Sequence, residues 1–115
     1  MEMLFFKSED ELQDFSKKIF NVLDIDNFSI IESVNVYKGF YGSYKVLGVK
    51  LKLEYNSYDY EDEYNYMMTI DNDFTSTLNI NDNSINYFTE MIMYILSNSL
   101  SIKKAVEVED KLKPF

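Results

Sequence analysis

Tyrosines and carboxylates alternate in the middle of the chain, where no lysine or arginine offsets the charge. Tyrosine is a rigid, amphipathic side chain that is enriched at the centres of protein interfaces. Carboxylates beside it attract a basic surface and steer its approach. The pattern therefore predicts a partner-binding site, made of Tyr58, Asp59, Tyr60, Glu61, Asp62, Glu63 and Tyr64, with Asp71 and Asp73 further along the chain.

Two conformations are open to this acidic run. If it is extended, Asp59, Glu61 and Glu63 project from one face about 6.7 Å apart, because alternate strand residues share a face. Each strand of duplex DNA carries a phosphate every ~3.4 Å, so these carboxylates would match alternate phosphates. Alternatively, residues 56–63 form a turn or an acidic hairpin tip whose charge serves only to keep it solvated.

The charge of the chain is concentrated in one part of it. There are 20 acidic residues and 11 basic residues, all of them lysine, so the net charge is −9. Residues 54–102 contain nine acids and no lysine, whereas residues 1–53 have a net charge of −1 and residues 103–115 of +1. Because a strongly acidic surface repels nucleic acid and anionic membrane, we expect a basic protein as the partner, with no direct nucleic-acid or membrane contact.

Missing residue types exclude much catalytic chemistry. The chain has no histidine, cysteine or arginine, and so lacks the usual zinc ligands, a thiol nucleophile, an imidazole base and a bidentate phosphate clamp. The aspartate pairs at 24/26 and 71/73 lack the glycine and distal glutamate of an EF-hand loop. We therefore expect no catalytic residue, no metal and no cofactor, although a hydrolase with two carboxylates stays an alternative.

Hydrophobic periodicity predicts two helices and three or four strands. Ser8 and Glu11 resemble a capping box that begins an amphipathic helix over residues 9–23. Alternating patterns predict strands within residues 28–37, 44–55, 64–70 and 74–80. Residues 101–115 fit either a short edge strand or a helix extension. The expected fold is α+β: a single two-layer domain, 1–115, whose antiparallel 3–4-stranded sheet carries an N-terminal and a C-terminal helix on one face.

The second predicted helix, residues 85–100, is apolar on nearly all sides. Its buried stripe would contain Ile85, Phe88, Ile92, Ile95 and Leu96, and further apolar residues leave little polar face. This helix is therefore either central or partly covered by a partner, which makes a homodimer possible through residues 85–100. No segment approaches the ~20 apolar residues of a membrane span, and the N-terminus lacks the basic region of a secretory signal. A cytoplasmic protein is expected.

The α-β-β-β-α order and the run Tyr58-Asp59-Tyr60-Glu61-Asp62-Glu63-Tyr64 resemble the small acidic phage-encoded anti-CRISPR proteins, some of which occupy the site where a CRISPR effector nuclease recognises the PAM duplex. A composition rich in Asn, Ile, Tyr and Lys, without Arg, also resembles AT-rich phage or Firmicutes coding. The resemblance implies that the acids at 59, 61, 62, 63, 71 and 73 stand in for phosphates, that the tyrosines pack on the nuclease, and that the protein acts in the host cytoplasm. Lys45, Lys50 and Lys52 depart from a purely acidic coat.

These features lead to one hypothesis and three alternatives. The hypothesis is a non-enzymatic inhibitor that binds a basic nucleic-acid-handling protein, such as a CRISPR effector or other defence nuclease, and blocks its DNA site. The alternatives are an immunity protein that neutralises a cognate bacterial toxin, an acidic dimeric secretion chaperone, and the small hydrolase already mentioned.

Overall fold

The computed structural model describes all 115 residues and contains seven strands and two helices. A short 3-10 helix, Tyr37–Gly39, precedes the third strand. The elements follow one another as β1 (Glu2–Phe6), α1 (Leu12–Val22), β2 (Ser29–Glu32), β3 (Phe40–Val46), β4 (Val49–Tyr55), β5 (Tyr66–Asn72), α2 (Asp82–Ser99), β6 (Lys104–Val108) and β7 (Lys111–Pro114).

All seven strands belong to one antiparallel sheet in the order β2-β3-β4-β5-β1-β6-β7. The predicted α+β class is confirmed, but the prediction of three or four strands with terminal helices is wrong, because strands precede α1 and follow α2. The sequence pattern did not predict strand β1, and the reason is physical. Leu4, Phe5 and Phe6 are all buried, so this central strand reads as a continuous apolar run without the alternation of a half-exposed strand.

Both helices pack on one face of the sheet, as predicted, and enclose the main core. The sheet contributes alternate residues of its central strands to this core, because alternate strand residues point to the same face. They include Leu4, Phe6, Leu51, Leu53, Met68 and Ile70, which meet Phe15, Ile19 and Phe20 of α1 and Ile85, Ile92 and Leu96 of α2.

Helix α2 begins three residues earlier than predicted. Asn81 is its N-cap, and the Asn81 side chain accepts a hydrogen bond from the Ser84 N–H at 2.8 Å. Ile85, Ile92 and Leu96 are buried as expected, whereas Phe88 and Ile95 are only half-buried. Neither helix is long and apolar enough to cross a membrane.

The capping box predicted at the start of α1 does not form. The helix begins at Leu12, and Ser8 instead accepts a hydrogen bond from the Asp10 N–H at 3.1 Å. One tyrosine from the sheet takes the role of the cap: the Tyr55 hydroxyl accepts from the Leu12 N–H at 3.2 Å. Beside it, the Tyr66 hydroxyl donates to the Asp10 carbonyl, just before the helix, at 2.5 Å. Burial raises the pKa of the Tyr66 hydroxyl, with Tyr55 beside it as a further cause, so the hydroxyl remains a proton donor.

The segment predicted as one strand over residues 44–55 is a hairpin. Leu47 and Gly48 both have positive φ, 50° and 79°, and form the two-residue loop between β3 and β4. Positive φ at both loop positions is the signature of a type I′ turn, which usually has Asn or Asp at the first position and Gly at the second. The predicted alternation still holds on the β4 side, where Val49, Leu51 and Leu53 face the helices.

Two other predicted strands are shorter or missing. β2 ends at Glu32 instead of residue 37, since the chain then turns through the 3-10 helix, where Lys38 has a φ of 62°. Residues 74–80 form turns and irregular structure rather than a strand. A turn at Asp73 starts this segment, and its carboxylate accepts hydrogen bonds from the Thr75 N–H and hydroxyl. The final segment, left open by the sequence, is the β6–β7 hairpin.

The β3–β4 turn gives a test of the hairpin with substitutions of opposite sign. We expect Leu47→Asn to raise the free energy of unfolding by about 0.5–1 kcal/mol, because Asn tolerates positive φ better than Leu. Gly48→Ala should lower it by about 1–3 kcal/mol, because its Cβ would combine positive φ with contacts 2.9 Å from Leu78 and Ile80. Urea unfolding measures both; equal effects would contradict the assigned turn.

Candidate protein-binding surface

The acidic run lies in the loop between β4 and β5, residues 56–65, here called the acidic loop. It is not extended: the N–H groups of Glu63 and Tyr64 both donate to the Tyr60 carbonyl, at 3.0 and 2.8 Å, and Tyr60 has a φ of 68°. The predicted row of carboxylates at strand spacing is therefore wrong. The loop joins two adjacent antiparallel strands, so the conformation of a hairpin tip is confirmed, whereas the role of its charge stays a prediction.

Asn56 holds the acidic loop in its turn conformation. Its side chain is buried, and its amide donates to the carbonyls of Asp59 at 3.1 Å and Tyr64 at 2.9 Å. Its side-chain oxygen accepts from the Tyr58 N–H at 3.0 Å. One short side chain thus joins the two sides of the loop and forms hydrogen bonds with three backbone groups that would otherwise need water as a partner.

The far end of the acidic loop is fixed to the start of the chain. Asn65 accepts from the Ser8 N–H at 2.9 Å and donates to the Ser8 carbonyl at 2.6 Å. This reciprocal pair of hydrogen bonds joins residues 57 positions apart. The loop is consequently anchored at both ends by asparagine side chains.

Two of the three tyrosines of the predicted binding site pack against the rest of the fold. The sheet face opposite the helices, here called the open face, carries a second apolar cluster made of Phe5, Tyr64, Met67 and Ala105. Tyr64 is buried in it, and Tyr60 packs its ring edge-on against Phe5 with centroids 5.7 Å apart. Only Tyr58 is well exposed, at 63%.

The four carboxylates of the acidic loop are all exposed, but they are not equivalent. Glu63 forms an ion pair with Lys103 at 3.6 Å, and the same ammonium lies 4.8 Å from the centre of the Tyr64 ring. The remaining three, Asp59, Glu61 and Asp62, have no ion pair in the structure.

Glu107 and Asp110 of the β6–β7 hairpin also lie near the acidic loop, and the sequence pattern did not indicate them. The Tyr60 hydroxyl donates to the Asp110 carbonyl at 3.1 Å. Burial raises the pKa of Tyr60, and the charges of Glu107, Asp59 and Asp110 raise it further. Because residues 103–115 have a net positive charge, only a prediction of this hairpin and of its place in the sheet could have indicated these acids.

Asp71 and Asp73 lie away from the acidic loop, at the opposite end of β5. A strand of this length spans roughly 20 Å, so they do not share a surface with residues 59–63. Asp73 is buried; its pKa is lowered mainly by the hydrogen bond from the Thr75 hydroxyl at 2.6 Å, and Lys45 lies 3.5 Å away. Asp71 is opposite Lys50 in the β4–β5 register. No three Asp or Glu side chains converge to hold a metal ion.

A groove of about 460 Å³ lies on the open face beside the acidic loop. Met3 and Met67 line it, and Tyr37 and Tyr58, both largely exposed, belong to its wall. Lys52 and Glu54 of β4 also line the groove and form an ion pair at 3.4 Å. The groove and the acidic loop share Tyr58 and are continuous.

Comparison of the chain with protein-family models, curated proteins and solved structures gives no match.

We expect Asn56→Ala to release the acidic loop. The substitution removes two donated hydrogen bonds and one accepted bond, and should lower the free energy of unfolding by about 2–3 kcal/mol. Amide hydrogen exchange of residues 58–64 should accelerate more than that of the strands.

The matched control is Asn79→Ala, because Asn79 is exposed and its side chain makes no hydrogen bond. Exchange rates in the acidic loop that are the same in both variants would show that Asn56 does not hold it.

Proposed function

We propose that this protein is a non-enzymatic inhibitor that binds a basic nucleic-acid-handling protein, such as a CRISPR effector or another defence nuclease, and blocks its DNA site with the acidic loop. One observation carries the proposal: Asp59, Glu61 and Asp62 are exposed and unpaired on a loop whose conformation is fixed by buried side chains.

Electrostatics favours a basic partner for this loop. Like charges closer than the Debye length of ~8 Å repel one another, so the acidic loop holds its carboxylates together against their repulsion. Lysine or arginine side chains of a partner would relieve that repulsion on binding. The complementary fields would also accelerate the encounter, an effect that weakens as salt is added.

The rigidity of the acidic loop supports tight binding at a small surface. A loop that is already ordered loses little conformational entropy when it meets a partner. Asn56, Tyr60 and Tyr64 supply that order, which leaves Tyr58 and the carboxylates to make the contacts.

The turn geometry supports a compact acidic projection rather than a linear copy of the DNA backbone. Glu107 and Asp110 lie near Tyr60 and extend the negative surface. The proposed binding surface is therefore the acidic loop together with the β6–β7 turn, and Asp71 and Asp73 contribute little to it.

Neutralising the acidic loop should abolish partner binding. A variant with serine at Asp59, Glu61, Asp62 and Glu63 is compared with the unaltered protein as bait in host lysates that contain CRISPR effectors. Retained basic proteins are then purified, and duplex DNA is used to compete with the bait. We expect loss of retention with the variant, displacement by DNA, and weaker binding as salt rises.

The control variant has the same charge change at four exposed acids elsewhere: Glu9, Glu11, Asp26 and Glu32. It should bind as the unaltered protein does. Retention that is equal for both variants, or a complex that duplex DNA does not disturb, would contradict the proposal. The identity of the retained partner separates a defence nuclease from the toxin that an immunity protein would bind.

A second candidate function, a dimeric secretion chaperone, is favoured by an apolar stripe on α2. Tyr87, Met91 and Tyr94 are 72%, 54% and 71% exposed and are spaced so that they share one helix face. A second copy could cover this stripe. Sedimentation velocity across the micromolar range tests it: a dimer that Tyr87→Gln and Tyr94→Gln dissociate would support the chaperone, and a monomer at every concentration would exclude it.

A further inference from the structure

Glu54 places a nearly buried carboxylate in the groove of the open face. Its side chain is 9% exposed, and its carboxylate accepts no hydrogen bond; the nearest cation is the Lys52 ammonium, 3.4 Å from Oε2. The one fully enclosed side-chain polar atom without a partner is Ser16 Oγ, so the Glu54 oxygens reach the groove surface. A carboxylate at the wall of a groove, with no hydrogen bond from another protein group, can accept hydrogen bonds from a cationic group that enters the groove.

Lys52 is not committed to Glu54. Its ammonium also lies 4.8 Å from the centre of the Tyr41 ring, within the range of a cation–π contact. Its side chain is 30% exposed, so it can move toward water and Tyr41 when another cation approaches. The ion pair therefore leaves part of the coordination of Glu54 open.

Several other groove residues suit a cation on a long apolar stem, and the Met1 ammonium, which also lines the groove, is paired with Asp71 at 3.9 Å. Met3 is a flexible, polarisable side chain that adapts to the shape of a methylene chain, and Met67 is buried beside it. Tyr37 and Tyr58 can attract a cation over their rings, since tyrosine faces are electronegative. The volume of about 460 Å³ is sufficient for one long side chain.

We infer that this groove receives an arginine side chain of the protein partner, with its guanidinium on Glu54 and its stem against Met3. Arginine fits better than lysine because a planar guanidinium can donate two parallel hydrogen bonds to one carboxylate, is weakly hydrated and stacks on aromatic rings. The inference rests on the proposed function, because an acidic loop docked on a basic protein would bring the adjoining groove against the same surface.

The test uses a small probe, N-acetyl-arginine methylamide, and its neutral isostere, the citrulline compound. Binding is followed by NMR of the methionine methyl groups, with Met3 and Met67 as reporters. We expect saturable shifts of these two signals with the arginine probe, and binding about tenfold weaker for citrulline, as befits a lost charge-assisted hydrogen bond. Glu54→Gln should weaken arginine binding by a similar factor, about tenfold.

Two further variants make the result specific. Asp26→Asn removes an exposed charge that lies outside both the acidic loop and the groove lining, and should change the affinity for the probe less than twofold. Lys52→Met removes the competing cation and should tighten binding severalfold.

The inference is overturned if arginine and citrulline shift the methyl signals equally, if Glu54→Gln binds like the unaltered protein, or if Lys52→Met weakens binding. If Glu54→Gln does not fold, as its amide spectrum would reveal, the citrulline comparison and Lys52→Met decide the matter. Failure here would leave the capture experiment with the acidic-loop variant unaffected, so the groove and the proposed function are judged separately.

Discussion

Strand β1 forms backbone hydrogen bonds along both of its edges, to β5 on one side and to β6 on the other. Its side chains divide between the two faces of the sheet. Leu4 and Phe6 enter the core beneath the helices, whereas Phe5 enters the cluster on the open face. Phe5 is the residue against which Tyr60 packs, so the position of the acidic loop depends on a strand more than fifty residues earlier in the chain. The same strand also brings the β6–β7 hairpin close enough for Asp110 to meet Tyr60.

The electrostatic surface follows from this topology rather than from the linear charge pattern. Three acids of the lysine-free segment, Glu54, Glu63 and Asp73, acquire lysine partners from outside it. Conversely, acids from the balanced C-terminal segment approach the acidic loop. The excess of negative charge that reaches solvent is therefore smaller at the end of β5 and larger around Tyr60 than the sequence indicates.

The open face combines two kinds of surface. The part beneath the acidic loop is apolar and already covered by Tyr60 and Tyr64, which makes the loop rigid. The neighbouring groove is lined by Met3, an adaptable side chain, and by a carboxylate that accepts no hydrogen bond from another protein group. A rigid charged projection beside an adaptable groove suits the recognition of one partner surface, since the first guides approach and the second adjusts to a protruding side chain.

Local patterns in the sequence determined the α+β class, the two helices on one face, the hairpin tip and the alternation of β4 and β5, because these depend on periodicity within short segments. The composition likewise shows, whatever the fold, that the chain carries no thiol, imidazole or guanidinium group. Tertiary structure alone decided that the Tyr55 hydroxyl accepts a hydrogen bond from the first N–H of α1, that Tyr60 and Tyr64 pack beneath the acidic loop, and that Asp71 and Asp73 lie apart from it. Each of these depends on which strand lies beside which. That neighbourhood is established by burial and backbone pairing between residues as distant as Ser8 and Asn65, which no local pattern records.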